Sequence, residues 1–84
     1  MTKDNPINVE EEIRNIIFNY TADYTHEQLI PSLTLRDDVW LDALDMMELT
    51  MEIETVFYIT IPDVDTEKWV TIGDVIDYVK ESVA

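Results

Sequence analysis

Few side chains in this sequence are equipped for covalent or acid–base chemistry: one histidine, His26, two serines, Ser32 and Ser82, and no cysteine. A nucleophilic hydroxyl needs a base beside it, and neither serine has a plausible one. With a single histidine in a polar stretch, His-based acid–base schemes lack a second partner. The chain is therefore expected not to be an enzyme. The absence of cysteine also removes disulfides and thiolate metal sites, and the cytoplasm is the expected compartment.

Carboxylates, by contrast, are abundant. Nineteen Asp and Glu against five Lys and Arg give a formal net charge of -14. Ten of the acids fall within residues 37–67, a stretch without Lys, Arg or His, with Arg36 and Lys68 at its edges. At this density neighbouring acids are unavoidable, so they carry no catalytic signal. Such a field repels nucleic-acid phosphates and anionic lipid and favours basic protein surfaces or cations. The alternating acids of Asp63-Val64-Asp65-Thr66-Glu67 resemble the start of a helix–loop–helix calcium loop, but Lys68 occupies the obligatory glycine position and Asp74 the place of the twelfth-position Glu. No specific metal site is expected, only weak divalent binding at Asp63, Asp65 and Glu67.

Behind these residues stands a chain of 84 residues, the length of one small domain spanning 1–84. A hydrophobic content of 46%, with Trp40, Trp69 and four tyrosines, argues for a packed core over disorder. The opening residues have no apolar run, and no apolar stretch approaches the ~20 residues of a membrane span, so neither a leader nor membrane insertion is expected.

Helical spacing joins Val9, Ile13, Ile16, Ile17 and Tyr20, with Asn8 and Glu11 spaced as a capping box, so a first helix starts near Asn8. Periodicity fades over 23–41, a long irregular connection containing Pro31, with a short turn around His26 to Ile30; Leu33, Leu35 and Val39 are expected to fold inward. A second helix begins at Asp42, capped by that carboxylate and helped by Asp45, and runs to about Tyr58. Pro62 opens a short third element reaching Trp69, and Ile59-Thr60-Ile61 is a loop. Thr71 caps a last helix with Asp74 at its third position and a stripe of Ile72, Val75, Ile76, Val79 and Val83. The expected fold is all-α: a small four-helix bundle, monomeric, with three longer helices, one short helix and a long first connection.

The second helix carries one stripe more than a core needs. Met46, Leu49, Ile53, Val56 and Phe57 make an inward face, yet Leu44, Met47 and Met51 form a second apolar strip on roughly the opposite side. Glu48 lies beside it, Asp45 and Glu52 beyond, and Glu54 on the other edge. An apolar strip between carboxylates reads as a docking surface for a partner with a hydrophobic patch ringed by Lys and Arg, or as side chains, methionines among them, that pack under the long connection.

Over residues 35–79 the chain resembles acyl carrier proteins without insertion or deletion. Asp42-Ala43-Leu44-Asp45-Met46-Met47-Glu48-Leu49 matches the family's Asp-Ser-Leu-Asp-x-x-Glu-Leu, and Ile61-Pro62-Asp63, Glu67-Lys68, Thr71-Ile72-Gly73-Asp74 and Ile76-Asp77-Tyr78-Val79 follow at the family's offsets. The resemblance implies a non-catalytic carrier for fatty acid, polyketide or related synthesis. Such a carrier holds acyl intermediates as thioesters on 4'-phosphopantetheine, and a phosphopantetheinyl transferase attaches that arm to the helix-two serine. It also implies that Asp42, Leu44, Asp45, Met47, Glu48, Met51 and Glu54 dock acyl-processing enzymes with basic surfaces.

The chain departs from that pattern at the decisive atom. Ala43 stands where the family has its serine, so no arm can be attached there. Ser32-Leu33 echoes Ser-Leu but lacks the helical Asp-x-x-Glu context, and Ser82 falls in the final turn. Two histories account for Ala43: an engineered serine-to-alanine replacement that keeps the protein in its apo form, or a natural carrier-like acidic adaptor that binds partners without an arm. Trp40-Leu41 replaces the family's usual Gly and small residue, as a further partner contact or a cover over the helix start, and Thr55 replaces a common acid; both mark a specialised paralogue. The helical pattern permits an acyl cavity lined by Met47, Met51 and Ile72.

Overall fold

The computed structural model describes residues 8–84; the absence of a leader was an expectation about residues outside that range. In chain order come α1 (Val9–Phe18), a 3₁₀ turn at His26–Gln28, α2 (Ala43–Phe57), α3 (Asp63–Thr66) and α4 (Ile72–Val83). Three longer helices and one short one form the expected all-α arrangement, with the long connection between α1 and α2.

Each longer helix starts where a side chain relieves the unpaired N–H groups of its first turn. Asn8 accepts from the Glu11 N–H at 3.1 Å. Asp42 accepts from the Asp45 N–H at 2.8 Å while Asp45 accepts from the Asp42 N–H at 3.2 Å. At α4 the Thr71 hydroxyl accepts from the Asp74 N–H at 3.1 Å, and the Asp74 carboxylate accepts from Val70 and Thr71 N–H groups at 2.8 and 3.0 Å.

The periodic residues then meet. Ile13 and Ile17 of α1, Leu49 and Ile53 of α2, and Ile72, Val75 and Val79 of α4 are buried to within 2% of exposure, joined by Leu29 and Leu35 from the connection. Each such aliphatic contributes roughly 1.5–3 kcal/mol on leaving water. Val39 is buried as expected, while Leu33, Tyr20, Met46 and Val56 pack at the edge of this cluster.

Three expectations need correction. Pro62 precedes α3 as its cap instead of opening it, and α3 ends at Thr66; Trp69 is reached through a following turn in which its N–H donates to the Thr66 carbonyl. Val83, the last residue of α4, is 45% exposed and does not join the buried stripe of Ile72, Val75, Ile76 and Val79.

The connection is fastened to the start of α4. The Leu35 N–H donates to the Val70 carbonyl at 2.8 Å, the Ile72 N–H to Leu33 at 2.9 Å and the Gly73 N–H to Pro31 at 2.9 Å. Gly73 is the residue that permits this approach: a Cβ there would sit 3.1 Å from the Pro31 carbonyl oxygen and 3.3 Å from its Cβ.

α2 ends on Tyr58, 93% exposed in a left-handed conformation at φ 57°, ψ 46°. Glycine adopts that geometry without Cβ conflict. Tyr58→Gly is expected to raise stability by about 1 kcal/mol, read as a thermal midpoint higher by roughly 4–8 °C.

The backbone donors of Thr71 and Val70 hold the Asp74 carboxyl below its ordinary pKa. A depressed folded-state pKa means that its contribution is present above the usual carboxylate range near about 4 and is lost as pH falls through the depressed value. The stability difference between the parent and Asp74→Asn, from denaturant unfolding at a series of pH values, is therefore expected to be constant near neutrality and to shrink on acidification below about pH 4.

Candidate functional site

Residue 43 is the first residue of α2, directly after the capping Asp42, and is exposed. An anionic group held there gains from unpaired N–H groups and the positive end of the helix dipole. Ala43 offers a methyl group and no oxygen, so a phosphodiester has no atom to form on and the chain does not fit a covalent arm. The serines do not substitute. Ser32 lies between Pro31 and Leu33, whose carbonyls accept from Gly73 and Ile72 at the start of α4. Ser82 donates to the Tyr78 carbonyl at 2.9 Å within α4.

Beside Ala43 a groove of about 560 Å³ runs between α2 and α3. α2 contributes Ala43, Met46, Met47, Thr50 and Met51; Leu35, Leu41, Ile61 and Trp69 form its inner wall. Two of the three residues foreseen for a cavity, Met47 and Met51, line it. Ile72 does not: its N–H bond to Leu33 sets it at the root of α4, fully buried in the core. Sequence reasoning missed Trp69 and Thr50 as wall residues. Trp69 packs edge-on against Tyr78, with ring centroids 5.4 Å apart. Thr50, buried on a helix face between the two apolar stripes, returns its hydroxyl to the Met46 carbonyl at 2.7 Å, a local bond that lets a polar side chain line an apolar wall.

On the outer side of α2, Leu44, Met47 and Met51 are 56–60% exposed. Asp42 and Glu48 are exposed next to this strip, and Asp45 is half-buried. The acids differ in what else they do. Asp42 and Asp45 are occupied with each other's backbone. Glu54 accepts from the Ile61 N–H at 2.8 Å, so its carboxylate fastens the loop between α2 and α3. Leu41 departs from its expected role as a contact: it is 3% exposed, drawn inward by a bond from its N–H to the Leu35 carbonyl at 2.9 Å, and only Trp40 of that pair, 74% exposed, faces solvent.

Carboxylates also shape the neighbouring phenols. Burial, followed by Glu52, raises the pKa of Tyr20, with smaller upward contributions from Glu48 and Asp45. Tyr78 is raised chiefly by donating to Asp65 at 2.8 Å, with burial next. That bond ties α3 to α4. Asp63, Asp65 and Glu67 do not form a converging ligand set, and among the described residues no group of three or more acids or histidines does.

The sequence pattern described as the phosphopantetheine attachment site matches residues 19–79. This chain belongs to the acyl carrier protein family. It is 36% identical to an acyl carrier protein of Desulforapulum autotrophicum over 75 residues, covering 89% of this chain and 97% of that one. It is 39% identical to one of Rubrobacter xylanophilus over 74 residues, covering 84% and 91%. In three dimensions it is similar to an acyl carrier protein from Enterococcus faecalis, with a TM-score of 0.77 at 32% identity, covering 88% of this chain and 92% of that one. The family is one of carriers, not enzymes; its prosthetic group is 4'-phosphopantetheine, and its members interact with transferases and acyl-processing enzymes.

The bond to Ile61 separates two kinds of acid on α2. Glu54→Ala is expected to cost about 1–2 kcal/mol by leaving a half-buried N–H unpaired, with Glu54→Gln losing less because its amide oxygen still accepts. Glu48→Ala should stay within about 0.5 kcal/mol of the parent. Urea unfolding of the three variants checks the order.

Proposed function

We propose that the serine-bearing form of this chain carries acyl groups on an arm at position 43, and that the Ala43 form docks on the same enzymes without being loaded. The observation that carries this is the setting of residue 43: a capped helix start that opens on one side to an apolar groove and on the other to an exposed apolar strip flanked by carboxylates. The enzymes it fits have a hydrophobic patch bordered by Lys and Arg, and the cytoplasm is where we place the encounter. Exposed Leu44, Met47 and Met51 supply contact area, while Asp42, Asp45 and Glu48 supply orientation and encounter rate.

Ala43→Ser incubated with a phosphopantetheinyl transferase, magnesium and coenzyme A is expected to gain one arm by mass spectrometry, while the parent gains none. If several transferases leave Ala43→Ser unmodified, the natural adaptor without an arm becomes the better account. Independently, Glu48→Lys is expected to weaken binding to the transferase, with a loss that is larger at low salt, since charges on the rim of an interface act mainly through long-range attraction.

A further inference from the structure

We propose that Trp40 is an anchor residue for the enzyme that engages position 43, inserting its indole into an apolar recess rimmed by basic side chains. The inference deepens the docking function above and rests on it.

The backbone at Trp40 has φ 66°, and the side chain is 74% exposed. A bulky residue takes that left-handed conformation only when its surroundings impose it. Here the imposing groups are backbone and neighbours. Val39 and Leu41, on either side, are each 3% exposed, and their N–H groups donate to the Thr34 and Leu35 carbonyls at 3.1 and 2.9 Å. The Asp38 carboxylate accepts from the Thr34 N–H and closes the same turn. All of these would hold any residue at position 40, and glycine would satisfy them without the Cβ conflict. The indole thus adds little to the core, is disfavoured by the backbone, and places a large apolar surface in water. Only a contact outside the chain uses it.

Geometry names the contact. Trp40 lies three residues before Ala43, so their Cα atoms are at most about 10 Å apart, and a protein that works on residue 43 must come within reach of the indole. Leu44 and Met47 continue the exposed apolar surface onto α2. Asp37, Asp38, Asp42 and Asp45 all lie within five residues of Trp40 in the sequence, Asp37 and Asp42 exposed, with Arg36 the one basic residue of that stretch. A recess for the ring bordered by Lys or Arg matches both features, and arginine adds attraction for the indole face.

The test uses the Ala43 chain itself, which can bind a phosphopantetheinyl transferase without turnover. Calorimetry against that enzyme is expected to show Trp40→Gly binding about 30-fold weaker, with a thermal midpoint raised by about 4 °C. Opposite signs in affinity and stability are what a structural role would not produce. Tyr58→Gly, which relieves the same backbone geometry roughly 22 Å away along α2, should raise the midpoint and leave affinity unchanged. Trp40→Gly that binds like the parent while Met47→Ala and Glu48→Lys bind weakly would overturn the anchor and leave the docking function intact. Trp40→Gly that loses stability and affinity together would overturn it as well. No binding by the parent would remove both proposals.

Discussion

The arrangement depends on one set of backbone bonds: the long connection lies against the start of α4, with Leu35 bonded to Val70, and Leu33 and Pro31 accepting from Ile72 and Gly73. A connection of this length closes at an entropic cost that local structure alone does not offset. The three bonds are short-range once α4 exists, and α4 is capped by Thr71 and Asp74 at the same spot. Capping and fastening are therefore one event in space. From there the path is determined: Leu35 enters the core, Leu41 follows by its bond to Leu35, and Asp42 is delivered to begin α2. The position of residue 43 is set by contacts made at the start of another helix.

This explains which parts of the molecule were legible in the sequence. α1, α2 and α4 announce themselves because each combines a 3.6-residue apolar period with a capping residue, two signals that report on the same few residues. The exposed strip of Leu44, Met47 and Met51 was legible for the same reason, since a helix with two apolar faces cannot bury both against three neighbours. The groove was not. Its walls come from the connection, α2, α3 and the turn before α4, and no period relates Leu35, Leu41, Ile61 and Trp69. Leu41 illustrates the failure: beside Trp40 in a non-periodic stretch it reads as equally exposed, and only the bond to Leu35 separates a core residue from a surface one. Resemblance supplied the place of the arm, but not why the family has glycine at position 40. The positive φ there gives the reason.

The charge of -14 raises the question of how the fold tolerates it. Several of the acids on or near α2 are put to local use. Asp42 and Asp45 sit at its positive end and cap each other's backbone, and Glu52 accepts from Tyr20 at 3.3 Å, joining α2 to the turn that follows α1. Glu54 lies nearer the negative end of the helix, where a carboxylate is disfavoured by the dipole, and the N–H of Ile61 compensates it. Asp65 and Asp74 take hydrogen bonds around α4. Acids that answer a donor add cohesion as well as field, so a strongly negative surface costs the fold less than its formal charge implies.

What the serine position contributes is then separable from everything else. Residue 43 is exposed at the first turn of α2, its backbone is held by the Asp42–Asp45 box, and alanine is well suited to a helix. Replacing a hydroxyl by hydrogen at this exposed point alters no packing contact in the core and removes no cap. The fold and the exposed strip of α2 are therefore insensitive to the identity of residue 43, whereas attachment of the arm depends on a single oxygen atom there. A family member can lose the capacity to be loaded while keeping its fold and the exposed strip of α2, because that strip is spread over several residues and covalent chemistry is confined to one atom. The neighbouring exposed positions, Trp40 with its positive φ among them, are likewise set by the turn that leads into α2 and not by the atom that residue 43 carries.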